Sequence, residues 1–336
     1  MEEFSSLIAG LIRPVPGPKL RVLATLVAVV GSSYRRPGAR LLVTAGGERL
    51  GSISGGCLEE DVLFRTHRVA ATGQAELVTY DTSSENDLVW GVGLGCHGVV
   101  QVLLEAIPAT PPAWVATLAA NLAARRPTPL AVIWHNPDAP AVLGTYFTAA
   151  LPALTPASAV FRETLAPPPS LLIFGAGDDA QPLARLAAHL GWHVTVADPR
   201  AAFTTAARFP AARLVVAPAA ELAARVAPEP DALAVVMTHH YVHDVPLLRA
   251  LLPLDLAYLG LLGPRQRAER ILADLARDGF SANPDQLARL HAPVGLDLGG
   301  DHPAAVALSM LAEMQAALAG RDARPLRTRT RPIHAS

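Results

Sequence analysis

Hydrophobic and polar residues in the first half of the chain follow two patterns, one typical of strands and one typical of helices. An apolar, β-branched run at 21–30 predicts a buried strand, and helical spacing of apolar residues at 58–71 predicts a helix that ends before Gly73. Further strands are predicted at 39–44, 49–54, 75–80, 99–104, 130–134 and 142–148, and further helices at 1–12 and 114–124. This half of the chain is therefore predicted to mix strands and helices.

The second half begins with a strand, a glycine motif and a helix. Apolar residues at 171–174 predict the strand, the segment Gly175-Ala176-Gly177-Asp178-Asp179-Ala180 has the form G-x-G-x-x-A, and an amphipathic helix is predicted at 181–190. A second strand at 192–197 ends at Asp198, as in a Rossmann unit. Further strands are predicted at 214–216, 232–237 and 256–259, and further helices after Gly263 and at 303–318.

A stretch rich in proline and alanine at 151–169 separates the two halves, and such a composition is typical of a linker. We therefore predict an α/β fold with an N-terminal mixed α/β domain at 1–160 and a C-terminal Rossmann-like domain with a parallel sheet at 170–320. An arginine-rich tail at 321–336 is predicted to be flexible.

The composition excludes several classes of protein. The chain has 336 residues and 51% hydrophobic content, enough for two domains with real cores. A formal net charge of -1 disfavours binding to nucleic acid or to an anionic membrane surface. Lys19 is the only lysine, so the chain has no P-loop. An acidic start and the lack of an apolar run of about twenty residues favour a cytoplasmic protein without a membrane span.

Two glycine-rich segments carry the two cysteines. Residues 51–61 contain Gly55, Gly56 and Cys57 directly before the predicted helix, and residues 91–98 contain Gly95 and Cys96. Main-chain N–H groups entering a helix N-terminus can hold an anion, and a thiol there ionises more readily. We therefore expect the two segments to form two walls of one site. Tight turns with inert cysteines are the alternative.

A third segment combines hydroxyl groups with arginines. Ser32, Ser33, Arg35 and Arg36 follow the first predicted strand within a turn-forming sequence. Hydroxyl and guanidinium groups in this spacing can hold a phosphate or a carboxylate. A solvated basic turn fits the same residues.

The ligand of the predicted Rossmann domain stays open. Gly175 and Gly177 would approach a pyrophosphate and Asp198 would accept from a ribose hydroxyl, but Asp178 and Asp179 would repel an anion at the helix N-terminus. A metal ion or a ligand without phosphate would relieve this conflict.

Histidines follow one of the predicted parallel strands. His239, His240, His243 and Asp244 lie where open α/β sheets bind their ligands. They resemble a metal site, although a solvated loop rich in histidine is common. His239 directly follows the strand end and is a candidate for a cofactor contact.

These segments together resemble the XdhC/CoxI family of accessory proteins for molybdenum hydroxylases. The resemblance is carried by 31–42, 51–61, 93–96, the Rossmann unit, 237–244, 260–264 and 292–299. It implies a maturation chaperone, more than a stand-alone enzyme, that binds molybdenum cofactor as molybdopterin or its cytosine dinucleotide form. It also implies sulfuration of the cofactor with a cysteine desulfurase, and delivery to an apo molybdenum hydroxylase such as xanthine dehydrogenase or carbon monoxide dehydrogenase. A homodimer with two domains around a shared cleft is expected.

The resemblance also suggests which residues contact the cofactor. Cys57 and Cys96 are the candidates for catalytic and metal-binding roles, because molybdenum favours a soft thiolate. The other expected contacts are Ser32, Ser33, Arg35, Arg36, Gly55, Gly56, Gly95, Gly175, Gly177, Asp198 and His239.

The sequence also departs from the family pattern. Asp178-Asp179 stands where many relatives carry His and a small apolar residue, Tyr34 where Pro is common, and His97 where Gly is common. Binding of NAD(P) therefore does not follow from the motif. Two other functions stay open: an NAD(P)-dependent oxidoreductase with His239 as acid or base, and a scaffold that binds only the hydroxylase.

Overall fold

A computed structural model describes residues 2–13, 20–81 and 98–330 of the chain. The predicted site residues Gly95 and Cys96 lie outside these ranges, as do His97 and residues 331–336 of the predicted tail. The chain divides into two compact units, Met1–Pro167 and Pro168–Ser336.

The main sheet of the first unit has five strands in the order β3-β2-β1-β5-β4. They are β1 (Arg21–Gly31), β2 (Arg40–Val43), β3 (Arg49–Gly51), β4 (Glu76–Asp81) and β5 (Gly98–Ile107). All neighbours are antiparallel, and β1 pairs with β5 from Arg21↔Ile107 to Gly31↔Gly98. The third strand was predicted to reach residue 54 but ends at Gly51. The backbone after Gly51 turns away from the sheet because the N–H groups of Ile53 and Ser54 donate to the side chain of Glu59.

Helices cover both faces of this sheet. They are α1 (Glu2–Ile12), α2 (Glu59–Thr72) and α3 (Ala113–Ala123). One core joins α2, through Val62 and Val69, to inward residues of β1 such as Val22. A second core joins α1 and α3 to the opposite face of β1, where Leu23 lies. Since side chains alternate along a strand, the continuous apolar run of β1 serves both cores.

A smaller antiparallel sheet with the order β7-β6-β8 completes the first unit. Its strands are β6 (Thr128–His135), β7 (Gly144–Phe147) and β8 (Ala159–Leu165). Strand β8 lies in the stretch that composition suggested as a linker, and its pairing with β6 extends the first unit beyond residue 160. The buried Arg40 of β2 pairs with Glu163 of β8. This ion pair ties the two sheets together.

The second unit has a six-stranded parallel sheet in the order β11-β10-β9-β12-β13-β14, which confirms the predicted Rossmann-like domain. The strands are β9 (Ser170–Phe174), β10 (His193–Ala197), β11 (Ala212–Val215), β12 (Leu233–Val236), β13 (Tyr258–Leu261) and β14 (Leu290–His291). The direction in which strands are added reverses between β9 and β12. Ligands of open α/β sheets bind at such a switch point.

Helices also cover both faces of the parallel sheet. They are α4 (Ala180–His189), α5 (Leu222–Val226), α6 (Tyr241–Leu251), α7 (Arg265–Arg277), α8 (Pro284–Ala288) and α9 (Pro303–Leu318). Helices α4 and α9 share one core, and α5, α6 and α7 share the other. In the described part of the chain, none of these helices combines the length and the apolar content that a membrane crossing requires.

Candidate functional site

Two loops of the first unit meet at the end of the main sheet where β1 finishes and β5 begins. We call residues 32–38 the arginine loop and residues 52–58 the cysteine loop. A Cβ atom added to Gly98, the first residue of β5, would lie 2.4 Å from the carbonyl oxygen of Ser32. The first residue of β5 therefore packs closely against the start of the arginine loop.

The arginine loop and the cysteine loop touch through Tyr34 and Gly55. Gly55 has a φ of +87°, and a Cβ atom at this position would lie 2.9 Å from Cε1 of Tyr34. A side chain at residue 55 would therefore be strained and would push the tyrosine ring away. The ring itself is 69% exposed. Tyr34, which stands where Pro is common in the family, thus places an exposed aromatic ring against the cysteine loop.

The cysteine loop is organised around the carboxylate of Glu59, the first residue of α2. Oxygen Oε1 accepts hydrogen bonds from the main-chain N–H groups of Ile53 at 3.1 Å and Ser54 at 3.0 Å, and from Oγ of Ser52 at 2.9 Å. Oxygen Oε2 accepts from the N–H groups of Gly56 at 2.9 Å and Leu58 at 3.2 Å, and from Oγ of Ser54. The loop thus wraps around a carboxylate of its own chain.

The carboxyl group of Glu59 is ionised in this position. Its side chain is buried, which raises the pKa, but the hydrogen bonds from Ser54, Ser52 and Ile53 outweigh burial and lower the pKa to about 2. The carboxylate is therefore ionised at every physiological pH.

This geometry changes the expected role of the main-chain N–H groups. The sequence suggested that they form a cradle for a bound anion, whereas those of Ile53, Ser54, Gly56 and Leu58 already hold Glu59. The sequence alone leaves the role of Glu59 open. Its only signal is the pair of serines five and seven residues before a glutamate at a helix start.

The two acidic residues after Glu59 differ from it. Asp61 accepts a hydrogen bond from Nε of Arg65 at 2.6 Å and from the Tyr80 hydroxyl at 2.7 Å. Partial burial raises the pKa of Asp61, but these bonds outweigh it and lower the pKa. Asp61 therefore fastens α2 to β4, while Glu60 is exposed.

The predicted ligand contacts of the first unit lie at the surface. Cys57 is a free, exposed thiol, Ser32 and Arg36 are exposed, and Ser33 and Arg35 are half-buried. Gly55 and Gly56 are exposed on the same loop as Cys57. Within residues 2–13, 20–81 and 98–330, no group of three His, Cys, Asp or Glu side chains is placed to bind a metal. The metal-binding roles of Cys57 and Cys96 stay predictions.

In the second unit, the two glycines of the G-x-G motif have different surroundings. Gly175 has a φ of +125°, and a Cβ atom there would lie 2.4 Å from the carbonyl oxygen of Met237 at the end of β12. At Gly177 the nearest atom to an added Cβ would be Cδ2 of His239, at 3.9 Å. Gly175 is thus required for the packing of adjacent strands, whereas Gly177 borders open space.

Asp198, predicted to accept from a ribose hydroxyl, is engaged within the protein. Its Oδ2 accepts from the N–H of Ala176 at 2.7 Å and from Arg200, and its Oδ1 accepts from the N–H and Nε of Arg200. The residue is 1% exposed. Burial raises its pKa, but the bonds from Arg200 and Ala176 outweigh burial and lower it. Asp198 therefore accepts from a main-chain donor of the glycine loop, and its contact with a ribose hydroxyl stays a prediction.

The two carboxylates that follow Gly177 also have partners. Asp178 accepts from Arg208 at 2.9 Å, and Asp179 lies 3.0 Å from Nε2 of His239. His239 has a φ of +60°, which is uncommon for a residue with a side chain. The pair of Asp179 and His239 spans the switch point between β9 and β12. These partners within the protein thus offset the repulsion that the two carboxylates were expected to exert on an anion.

The histidine-rich segment does not form a metal cluster within the described residues. Asp244 is 1% exposed and accepts from Oγ1 of Thr238 at 2.5 Å and from Nε of Arg267 at 2.9 Å. The rings of His240 and His243 lie 5.3 Å apart between centroids, with an angle of 51° between their planes. Asp244 therefore links α6 to α7.

Comparisons with known proteins agree with this fold. The family models described as "XdhC and CoxI family" and "XdhC Rossmann domain" match residues 19–81 and 171–314. The chain is 35% identical over 311 residues to a probable xanthine dehydrogenase subunit of Bacillus subtilis, covering 87% of this chain and 92% of that protein. It is 24% identical to the molybdenum cofactor insertion chaperone PaoD of Escherichia coli, covering 93% of this chain and 88% of that protein.

A solved structure extends the likeness to nearly the full chain. The crystal structure of a xanthine dehydrogenase from Bacillus halodurans matches with a TM-score of 0.79 at 28% identity, and the match covers 98% of this chain and 99% of that one. The family resemblance inferred from the sequence is therefore confirmed. The chain belongs to the XdhC and CoxI family.

Proposed function

We propose that this protein binds molybdenum cofactor and inserts it into a molybdenum hydroxylase of the xanthine dehydrogenase or carbon monoxide dehydrogenase type. The observation that carries the proposal is the exposed Cys57 thiol on a loop shaped by Glu59, which touches the arginine loop. The names of the relatives from B. subtilis and E. coli point to the same class of client.

The residues around Cys57 suit the two ends of this cargo. A thiolate is a soft ligand that suits molybdenum or the sulfur bound to it, and Cys57 supplies one at the surface. Arg35, Arg36, Ser32 and Ser33 supply guanidinium and hydroxyl groups for the phosphate end, in the mono- or dinucleotide form. Because four N–H groups of the cysteine loop already donate to Glu59, the phosphate would bind at the arginine loop.

Further parts of the proposal follow from the family. Sulfuration of the cofactor would involve a cysteine desulfurase as a partner, Cys96 would act with Cys57, and the protein would work as a cytoplasmic homodimer. Each of these requires its own experiment, and none is needed for cofactor binding itself.

Cofactor binding is tested by producing the protein in a strain that synthesises molybdopterin and measuring pterin and molybdenum in the purified sample. We expect near-stoichiometric pterin in the natural protein and a loss of about tenfold or more in Cys57→Ala. The same samples are then mixed with an apo hydroxylase, and its activity is followed. Full pterin retention and full activation by Cys57→Ala would rule out a role for this thiol.

The alternative of an NAD(P)-dependent oxidoreductase has less support. The Ala176 N–H donates to Asp198, and the pair of Asp179 and His239 spans the switch point at which a dinucleotide would bind. We therefore expect no change in NADH or NADPH fluorescence on titration with the protein. A third function, a scaffold that binds only the hydroxylase, would be indicated if neither pterin nor nucleotide is retained.

A further inference from the structure

We propose that Glu59 is the positioning residue of the candidate site, which holds the cysteine loop in the shape that presents Cys57 to the cofactor. The proposal rests on the proposed function, in which Cys57 contacts the cofactor. Glu59 does not face the cargo itself, because its two oxygens are directed at the inside of the loop. It acts through the backbone on both sides of Cys57.

The bonds to Glu59 bracket the cysteine. The N–H of Gly56 precedes Cys57 in the chain and the N–H of Leu58 follows it, and both donate to Oε2. Oγ of Ser54 donates to the same oxygen and also accepts from the Leu58 N–H at 2.9 Å. The backbone of Cys57 is therefore fixed from both neighbours, although its side chain is exposed.

Glu59 holds the loop through its negative charge and its two acceptor oxygens together. Four of its partners are main-chain N–H groups, which can only donate. A glutamine at this position has nearly the same size, but its NH₂ group would replace one of the two oxygens and face the two N–H groups that now donate to it. Of the four N–H groups, Leu58 N–H alone has a second acceptor among these bonds, Oγ of Ser54. Leaving buried donors unpaired is costly, so Glu59→Gln should open one side of the loop.

The next residue supplies a matched control. Glu60 lies in the same first turn of α2 and carries the same charge, but its side chain is exposed. Glu60→Gln removes one negative charge from the same helix end and leaves the bonds to Glu59 in place. A difference between the two variants therefore reports the bonds of Glu59 and not the charge at the helix end.

The experiment compares the natural protein, Glu59→Gln and Glu60→Gln, each produced with molybdopterin synthesis. Three quantities are measured: pterin retained after gel filtration, amide hydrogen exchange of a peptide covering residues 52–58, and the melting temperature. We expect Glu59→Gln to retain about tenfold less pterin and to exchange faster in this peptide, with a folded state like that of the natural protein. Glu60→Gln should match the natural protein in all three.

Each outcome decides one question. Slow exchange in Glu59→Gln would show that the carboxylate does not hold the loop, and fast exchange with full pterin retention would show that the loop shape is not needed; either result overturns the proposal. If the natural protein retains no pterin, the proposed function fails, while the exchange data still test the hold on the loop. If Glu59→Gln does not fold, Ser54→Ala, which removes one donor, should give the same changes to a smaller extent.

Discussion

Buried carboxylates in this protein differ in the groups that surround them. Glu59 is surrounded by N–H and O–H donors, which keep it ionised. Glu105 on β5 is buried, and within the described residues it accepts from the N–H and Oγ1 of Thr145 on β7. Burial raises the pKa of Glu105, and the bonds from Thr145 only partly offset this effect. At the level of single residues, the donors around a buried acid thus help to decide whether its pKa lies above or below the ordinary value.

The raised pKa of Glu105 makes stability depend on pH. A carboxyl group whose pKa is raised by folding stabilises the fold below its ordinary pKa, and this contribution is lost as the pH rises through the raised value. Glutamine mimics the protonated acid, so Glu105→Gln should lose less stability than the natural protein as the pH rises above the ordinary pKa of a glutamate. Urea unfolding at several pH values measures this difference. Parallel stability curves for the two proteins would contradict it, and the exposed Glu48→Gln serves as the control.

The two glycines of the Rossmann motif should differ in how much stability is lost when each is replaced by alanine. Gly175→Ala places a Cβ atom against the backbone of Met237 at a φ of +125° and should cost about 2–4 kcal/mol. Gly177→Ala meets no atom closer than 3.9 Å and should cost less than about 1 kcal/mol. Thermal denaturation of both variants distinguishes them, and equal losses of stability would refute the packing role of Gly175.

At the scale of elements, hydrophobic periodicity predicted most strands and helices, and local motifs predicted the Rossmann unit. The buried strands β1, β5 and β9 read as apolar runs, and α2 ended where Gly73 indicated. Periodicity failed for β8, because this strand is largely half-exposed and lies among prolines. The sequence also could not reveal the partners of Asp198 and Asp179, because they depend on how loops from different strands meet.

The link between α6 and α7 should contribute to the stability of the second unit. Asp244 is buried with Arg267, and removing one partner of a buried pair leaves an unpaired charge. Asp244→Asn should therefore destabilise the second unit by about 2–4 kcal/mol. Asp255 pairs with Arg289 at the surface and is 88% exposed, so Asp255→Asn should cost less than about 0.5 kcal/mol. Urea denaturation of both variants checks the ranking, and a similar loss in both would contradict the link.

At the scale of the whole molecule, each of the two units has cores of its own. The first unit packs its helices on an antiparallel sheet, and the second packs its helices on a parallel sheet. Each unit then has its own free energy of unfolding, and a single free energy for the entire chain describes neither unit.

Calorimetry should show this division. We expect two unfolding transitions, of which Gly175→Ala lowers one and Glu105→Gln shifts the other with pH. A matched pair of single-unit variants, Gly177→Ala and Glu48→Gln, should shift neither transition by more than about 4 °C from that of the natural protein. A single transition that moves with either of the first two variants would show that the units unfold as one body.

The bonds of Glu59 have a consequence for protein engineering. Acceptor, donors and thiol all lie between residues 52 and 59, so the segment satisfies its own polar groups with little help from the surrounding scaffold. Such a segment is suited to transfer into another protein. Transplanted between a strand and a helix of an unrelated protein, it would carry an exposed cysteine in a preset orientation, ready for attachment of a metal complex or a spectroscopic label.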